Sequence, residues 1–548
     1  MERMAAPILT RADVTLDKAD IAWLMICSAL VFLMVISISM VYSGLGSRLF
    51  AITLFKQPLL TGAMISFQWY LWGYALTFTP GNTWFGSLST ANGLQMSPSD
   101  VYSTNQGSSV TTSEGPSVQH LPELAFALFQ GMFAAFTAAL ICAGTMQKMH
   151  SARYLLFVSV WSAVIYSPIA RWSWYSEGWS HQLGSMDFAG GTPVHIASGA
   201  AVAAMSIFYF FESNGWQRAY LHLSSVTKKR INENLPWAAA MWVKSWLFNT
   251  SPWLPEYKQT DIISGRDYEV YDVNQAIFGT GLLWFGWFGF NGGSALGANS
   301  RAVSACLATH VAACAGGTTT VFFHWVLKQI YMRSADYEPR EFRRLTAVHF
   351  CDGAIAGLVA ITPGSGYVPV STSAIFGIVS SAVVYMLKPL TSEYLPDDEL
   401  KVFLIHTVSG FIGMFLTGCF ASQEVVESDG FSVLTTASVS ERLGNQMKDA
   451  FAGLGYSFSG TIIILMIGRS IMFAVKWMRS DETKDRAAKA WSKANIFKFG
   501  TDGSPAIQDR LRARERHTWE DDAMEGGIPL STLDNDRGPS PRQWNRME

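Results

Sequence analysis

Two copies of one pattern carry the residues best able to do chemistry. Asp187-Phe-Ala-Gly-Gly-Thr-Pro-Val-His195-Ile-Ala-Ser-Gly199 opens one long apolar run, and Asp398-Glu-Leu-Lys-Val-Phe-Leu-Ile-His406-Thr-Val-Ser-Gly410 opens another. Both read Asp, seven residues, His, two residues, Ser-Gly. A histidine in hydrocarbon is costly as imidazolium, so it stays neutral, and a neutral imidazole can both donate and accept a proton. Two such rings facing each other would form a short hydrogen-bonded bridge along a dry pore. The plain alternative is a core histidine satisfied by a backbone carbonyl. The shared spacing favours the pore reading for His195 and His406, whereas His310, His324 and His349 are read as core. Asp187 can cap the start of its helix by accepting backbone N–H groups, aided by Gly190 and Gly191, and a buried carboxylate there would also attract a cation. The two roles are compatible. Asp398 is expected to play the mirrored role on the opposite, cytoplasmic side.

What must position these residues is a set of membrane spans. Of 548 residues, 49% are hydrophobic and 15% charged, against about 25% charged in soluble domains. The apolar excess falls in runs of roughly 20 residues, enough to cross about 30 Å of hydrocarbon. The predicted fold class is an all-α membrane protein with spans near 21–44, 58–79, 122–144, 153–170, 190–211, 273–293, 302–327, 345–363, 369–387, 400–421 and 455–477. Five precede the long 212–272 loop, five follow it, and an eleventh closes the chain. Each half ends on the Asp-His element. An odd number of spans per half forces opposite orientations, so the halves, about 21–211 and 273–421, read as an inverted five-helix repeat. Tyr42-Ser-Gly-Leu-Gly-Ser-Arg48 and Ser294-Ala-Leu-Gly-Ala-Asn-Ser-Arg301 echo each other at the ends of spans 1 and 6. Lys and Arg concentrate in the loops on one side (Arg48, Lys56, Lys148, Arg153, Arg218, Lys228 to Arg230, Lys328, Arg333, Arg340, Arg343, Arg344, Lys388), while Arg171, Arg301, Arg442 and Lys448 lie on the other; Arg3, Arg11 and Lys18 count against this sidedness but are outvoted. The basic excess places residues 1–20 outside and the tail in the cytoplasm.

Around that frame, several segments read more ambiguously. Phe129-Gln-Gly-Met-Phe133 sets two rings on one helical face. On spacing alone this is core packing; the functional reading is a hydrophobic gate or a cation–π wall. Trp174 reads as an aromatic-belt residue, and Ser294 as either a hydroxyl ligand for a small cation or a small packing residue. Trp237, Trp242, Trp246 and Trp253 suggest an interfacial helix or a packing segment. Residues 479–548 are charged and polar, and are expected to be largely disordered. The six cysteines lie inside predicted spans at irregular spacing and look like small buried residues, with no metal-ligand cluster. No nucleophile–base pair or phosphate loop marks an enzyme, no cofactor is implied, and a net charge of −2 gives no argument for nucleic acid.

The span-5 stretch Asp187 to His195 closely resembles the ammonium transporter family, the Amt/MEP/Rh group. So do Trp284-Phe-Gly-Trp-Phe-Gly-Phe-Asn-Gly-Gly-Ser294 and Phe350-Cys-Asp-Gly-Ala-Ile-Ala-Gly-Leu-Val-Ala-Ile-Thr-Pro-Gly364. The resemblance covers residues 20–478, and a fungal, MEP-like member is expected. It implies eleven helices in two pseudo-symmetric halves, a homotrimer with one pore per subunit, and ammonium, ammonia and methylammonium as cargo; a plasma-membrane location is expected. By the same resemblance, Phe129, Phe133, Trp174 and Ser294 correspond to an ammonium recruitment site. Phe133 with Phe290 corresponds to a stacked gate, His195 and His406 to the twin histidines, and Asp187 to the essential aspartate.

The chain also departs from the family pattern. Lys401 stands where a further acid is usual, and His406-Thr-Val-Ser-Gly410 replaces His-Gly-Val-Gly-Gly. Ile36-Ser37 replaces Pro-Gly, Met146-Gln147-Lys148 replaces Ala-Glu-Arg, and the tail lacks the family's regulatory Gly-x-Asp and Gly-Glu-x-Ala-Tyr elements. These changes spare the pore residues and motivate a second reading, an ammonium sensor with little flux.

Overall fold

The computed structural model describes residues 16–88, 96–104, 119–145, 149–210, 271–331, 339–395, 397–430, 432, 434 and 438–497. The central tryptophan-rich loop, Gln147 and the chain beyond 497 lie outside the described residues. Residues up to Phe473 form one compact unit and Ala474–Glu548 a second.

The first unit is mostly helical. The first half comprises α1 (Lys18–Leu45), α2 (Ala51–Gln68), α3 (Tyr74–Phe78), α4 (Glu123–Leu140), α5 (Ser151–Trp161), α6 (Ser167–Trp174), α7 (Trp179–Leu183) and α8 (Ala197–Phe210). The second half comprises α9 (Val273–Gly293), α10 (Ser300–Tyr331), α11 (Pro339–Ile361), α12 (Val370–Tyr394), α13 (Ser409–Phe420) and α14 (Gln423–Val426). The closing helix is α15 (Val439–Phe497). Among the described residues, eight helical stretches are long and apolar enough to cross a bilayer. An all-helical reading misses a short antiparallel pair in the polar 81–121 segment: β1 (Val101–Thr104) on β2 (Gln119–Pro122), with Val101 opposite Pro122. Tyr102 on β1 stacks on Phe126 of α4, with centroids 3.7 Å apart.

Aspartates set the starts of the first helix of each half. Asp17 accepts from Ala19 N at 2.7 Å, and Asp272 accepts from Asn274 N and Gln275 N at 2.9 and 3.1 Å, satisfying donors that the helix leaves open. The helices they start, α1 and α9, pack along one another. Four rods are interrupted or opened by π-helical turns at Trp69–Gly73, Ser162–Tyr166, Gly191–Ile196 and Phe403–Val408. The last two carry the histidines.

The closing helix differs most from expectation. It starts 16 residues before the predicted 455, and its helical conformation continues through Phe497, into a stretch expected to be disordered. Arg171 and Arg301 are both buried. Arg171 donates to the carbonyls of Asn82, Thr77 and Thr79. Arg301 donates to Gly366 O and pairs with Asp429 at 2.8 Å, where Ser432 also meets it. Breaking such a pair strands a charge in low dielectric, at a cost of about 3–5 kcal/mol. Asp429→Ala is therefore expected to lower the melting temperature of the detergent-purified protein by several degrees, with Asp429→Asn costing less; thermal unfolding checks it. The six cysteines are unpaired with one another; Cys27, Cys142 and Cys351 are buried, but Cys306, Cys314 and Cys419 are partly exposed.

Candidate functional site

Both aspartates sit at the open end of a π-helical turn and fill the same place in it. Asp187 accepts from Gly190 N at 2.8 Å, Gly191 N at 2.6 Å and Thr192 N at 2.7 Å. Asp398 accepts from Val402 N at 2.8 Å and Phe403 N at 3.0 Å. A carboxylate at a helix N-terminus takes up the unpaired N–H groups and is favoured by the dipole. Gly190 makes the first turn possible: its φ is 109°, a region that residues with a Cβ avoid. Burial pushes the Asp187 carboxyl up, to about 7, and the nearby Asp449 adds to the rise, while the three N–H groups pull it back. Burial likewise raises Asp398, against the pull of Phe403 N–H, Val402 N–H and Lys401. Lys401, at the unusual position, has φ 57° and donates its ammonium to Asp398 O at 3.1 Å.

One π turn further in, the two histidines meet. His195 Nδ1 and His406 Nδ1 are 3.1 Å apart, with ring centroids at 5.2 Å and planes 25° apart. Both are buried. His195 Nε2 is buried with no hydrogen-bond partner among the described residues. A single hydrogen shared between the two Nδ1 atoms makes the rings complementary: one Nε2 is then a bare acceptor and the other an N–H donor. A proton taken at one outer nitrogen and released at the other moves the shared hydrogen across and reverses both tautomers.

Above the pair, aromatic rings close the way to a vestibule. Phe133 stacks on Phe290 with centroids 4.1 Å apart and planes at 26°, and Phe290 lies 6.0 Å from His195. A cavity of about 380 Å³ opens on the far side of Phe133, lined also by Trp174, Ser294, Asp187, Tyr102 and Gln130. Trp174 meets Phe133 edge-on at 5.7 Å, and its Nε1 donates to Asp187 O at 3.1 Å, so it forms part of the cavity wall. Ser294 donates its hydroxyl to Phe290 O at 2.8 Å, which leaves its oxygen lone pairs available to a donor in the cavity. Phe129 packs edge-on behind Phe133 at 4.9 Å and does not line the cavity.

Sequence reasoning missed three features. Trp287 stacks on His195 at 5.5 Å and 17°, its Nε1 held by Thr362 Oγ1 at 2.9 Å; the aromatic run 284–290 was the only signal for it. Thr407 donates to Ile196 O at 3.2 Å, tying the two π turns together. Asp449 and Gln446 of α15 bond to the segment carrying Asp187. The remaining histidines stand apart from the central pair: His310 lies 5.3 Å from Trp284, and His324 lies 4.6 Å from His349. Among the described residues no group of three His, Cys, Asp or Glu could hold a metal ion.

Comparison with known proteins gives a consistent result. The Ammonium Transporter Family profile matches residues 22–218 and 258–489. Ammonium transporter 1 of Schizosaccharomyces pombe is 32% identical over 90% of this chain and 85% of its own length. Ammonium transporter MEP2 of Saccharomyces cerevisiae is 31% identical over 87% and 82%. The crystal structure of Candida albicans Mep2 superposes with a TM-score of 0.61 at 32% identity, covering 82% of this chain and 84% of that one. For Saccharomyces cerevisiae Mep2 the TM-score is 0.62 at 30% identity, covering 83% and 89%.

Proposed function

Because the chain belongs to the ammonium transporter family, we propose that it takes up ammonium by recruiting the ion, removing a proton and conducting ammonia through an apolar pore. The observation that carries this reading is the 3.1 Å contact between His195 and His406, buried beyond a stacked phenylalanine gate. An ion cannot cross about 30 Å of hydrocarbon without a large solvation penalty. The vestibule replaces part of its water with the Ser294 oxygen and the ring faces of Phe133 and Trp174, under the field of Asp187. Phe129 supports that wall from behind. The Phe133–Phe290 stack fills the path, so passage requires the rings to swing aside. Beyond it, His195 Nε2 offers a neutral molecule a hydrogen-bond partner, and the shared Nδ1 hydrogen provides the route for the proton. Potassium has no proton to lose and is excluded by chemistry, not by diameter. Asp398 anchors the second π turn as Asp187 anchors the first.

The same reading includes eleven crossings. The eight apolar helices are joined by α9, by the apolar part of α11, and by the rod Ala51–Phe78 that a π turn interrupts. The matched Asp–π turn–His units support an inverted repeat. Exposed apolar side chains such as Ile52, Phe278, Phe285 and Val303 suit lipid and the faces of a homotrimer. The N-terminus is placed outside and the C-terminus in the cytoplasm of a plasma-membrane protein.

In proteoliposomes the wild type is expected to pass an ammonium-induced inward current and to exclude potassium. His195→Ala and His406→Ala are each expected to cut that current by about a hundredfold, the scale of a positioned proton carrier. Unchanged current and unchanged potassium exclusion in both variants would remove the relay. Growth of an uptake-deficient yeast on low ammonium tests transport itself; surface-expressed protein that fails to restore growth would favour the sensing role instead.

A further inference from the structure

Asp449 is a buried carboxylate with no part in the path described above. It lies on the closing helix, is 1% exposed, and accepts two short hydroxyl bonds: Ser180 Oγ to Oδ1 and Thr192 Oγ1 to Oδ2, both at 2.6 Å. Thr192 faces two ways, because its backbone N–H donates to Asp187 Oδ2 at 2.7 Å. Two buried carboxylates are thereby joined through one residue. One turn earlier on the same helix face, Gln446 accepts from Met186 N at 2.6 Å and donates to Met186 O at 2.7 Å. The chain on both sides of Asp187 is thus held by α15, across a stretch that has no regular structure of its own between Leu183 and Gly191.

The chemistry explains why an acid stands there. A carboxylate accepts from both hydroxyls at once and fixes the direction of each. An amide offers a single oxygen and must donate from its nitrogen, so one hydroxyl would have to reverse. Charge-assisted bonds of this kind are also stronger than neutral ones.

We propose that Asp449 is a positioning residue for the cation site: through the Thr192 and Ser180 hydroxyls it holds the Gly190–Thr192 turn onto Asp187, and so sets the affinity of the vestibule for the ion. The functional part of this inference rests on the transport reading. The test uses the full chain in proteoliposomes, measuring methylammonium flux against concentration, together with hydrogen exchange of the Gly190, Gly191 and Thr192 amides. Asp449→Ala and Thr192→Val are each expected to raise KM about tenfold, the worth of one charge-assisted bond, with a smaller change in maximal rate and with faster exchange at the three amides. Thr192→Ser keeps the hydroxyl and is expected to hold KM within about twofold of wild type, and the double variant Asp449→Ala/Thr192→Val to be no worse than Asp449→Ala alone. A wild-type KM in Asp449→Ala overturns the inference, as does a Thr192→Ser as impaired as Thr192→Val, or single effects that multiply in the double variant. Should Asp449→Ala fail to fold, Asp449→Asn takes its place, with the same shift in KM expected. A wild type without flux would sink the transport reading alone; the amide exchange then decides, and unchanged protection in the Asp449 variant overturns the inference.

Discussion

Replacing Asp187 with alanine is expected to abolish ammonium flux. Three backbone N–H groups, of Gly190, Gly191 and Thr192, end on this carboxylate at 2.6 to 2.8 Å, and all three would lose their acceptor inside the protein. Each orphaned donor costs about 1–3 kcal/mol, so the sum rivals the whole margin of a folded domain, about 5–15 kcal/mol. Loss of flux in Asp187→Ala alone would therefore not separate charge from architecture. Asp187→Asn does. Its oxygen can still accept from Gly190 and Gly191, which share Oδ1, while its amide nitrogen meets the Thr192 N–H as donor against donor and the negative charge is gone. Flux is expected to fall at least about a hundredfold, with a melting temperature reduced by far less than in the alanine variant. Flux in proteoliposomes and thermal unfolding of the same preparations check this. An asparagine variant that transports like wild type would show that the turn, and not its charge, is what the mouth requires.

The repeat Asp, seven residues, His was legible because it is a spacing, and a spacing survives in one dimension. What was not legible was the backbone that makes it work. A π turn shifts the hydrogen-bond ladder by one residue, and nothing in an apolar run such as Val402 to Ile405 announces it. The early start of α15 was hidden for a different reason. Asn445, Gln446 and Asp449 look like loop residues in sequence, and the predicted span accordingly began at 455. Their partners are Leu183 O, Met186 N and Thr192 Oγ1, more than 250 positions away in the chain. In the fold that polarity is spent on holding another segment. The burial of Arg171 and Arg301 was likewise not visible from their charge. Phe133 shows the opposite case: its spacing from Phe129 favoured ordinary packing over a gate, and its stacking on Phe290, 6.0 Å from His195, joins residues far apart in sequence that no spacing could pair.

Gly199→Val is expected to be as damaging as any change to the histidines themselves. Gly199 lies one helical turn beyond His195, on the face turned toward the second π turn. A Cβ placed there would stand 2.3 Å from Thr407 Oγ1, 2.9 Å from Thr407 N and 3.1 Å from Val402 O. The first of these is a side chain and can move; the other two are backbone and cannot without carrying the turn with them. Thr407 follows His406 directly, so pushing its amide away moves the second ring off the first. The 3.1 Å contact between the Nδ1 atoms has only a few tenths of an ångström to spare before it ceases to be a hydrogen bond. Overpacking of this kind costs about 1–3 kcal/mol in stability, but the loss of flux is expected to be far larger, at least about a hundredfold, because the proposed relay would depend on that distance. Two further variants test the cause. Gly199→Ala should be impaired less than valine, and combining it with Thr407→Gly should recover part of the flux, since only the side-chain contact is relieved. Gly199→Val should gain less from the same second change, because its two further methyl groups crowd the second turn beyond the Cβ that it shares with alanine. Wild-type flux in Gly199→Val would mean that the two π turns can separate without consequence, and hence that the close approach of the imidazoles is not what conducts the proton.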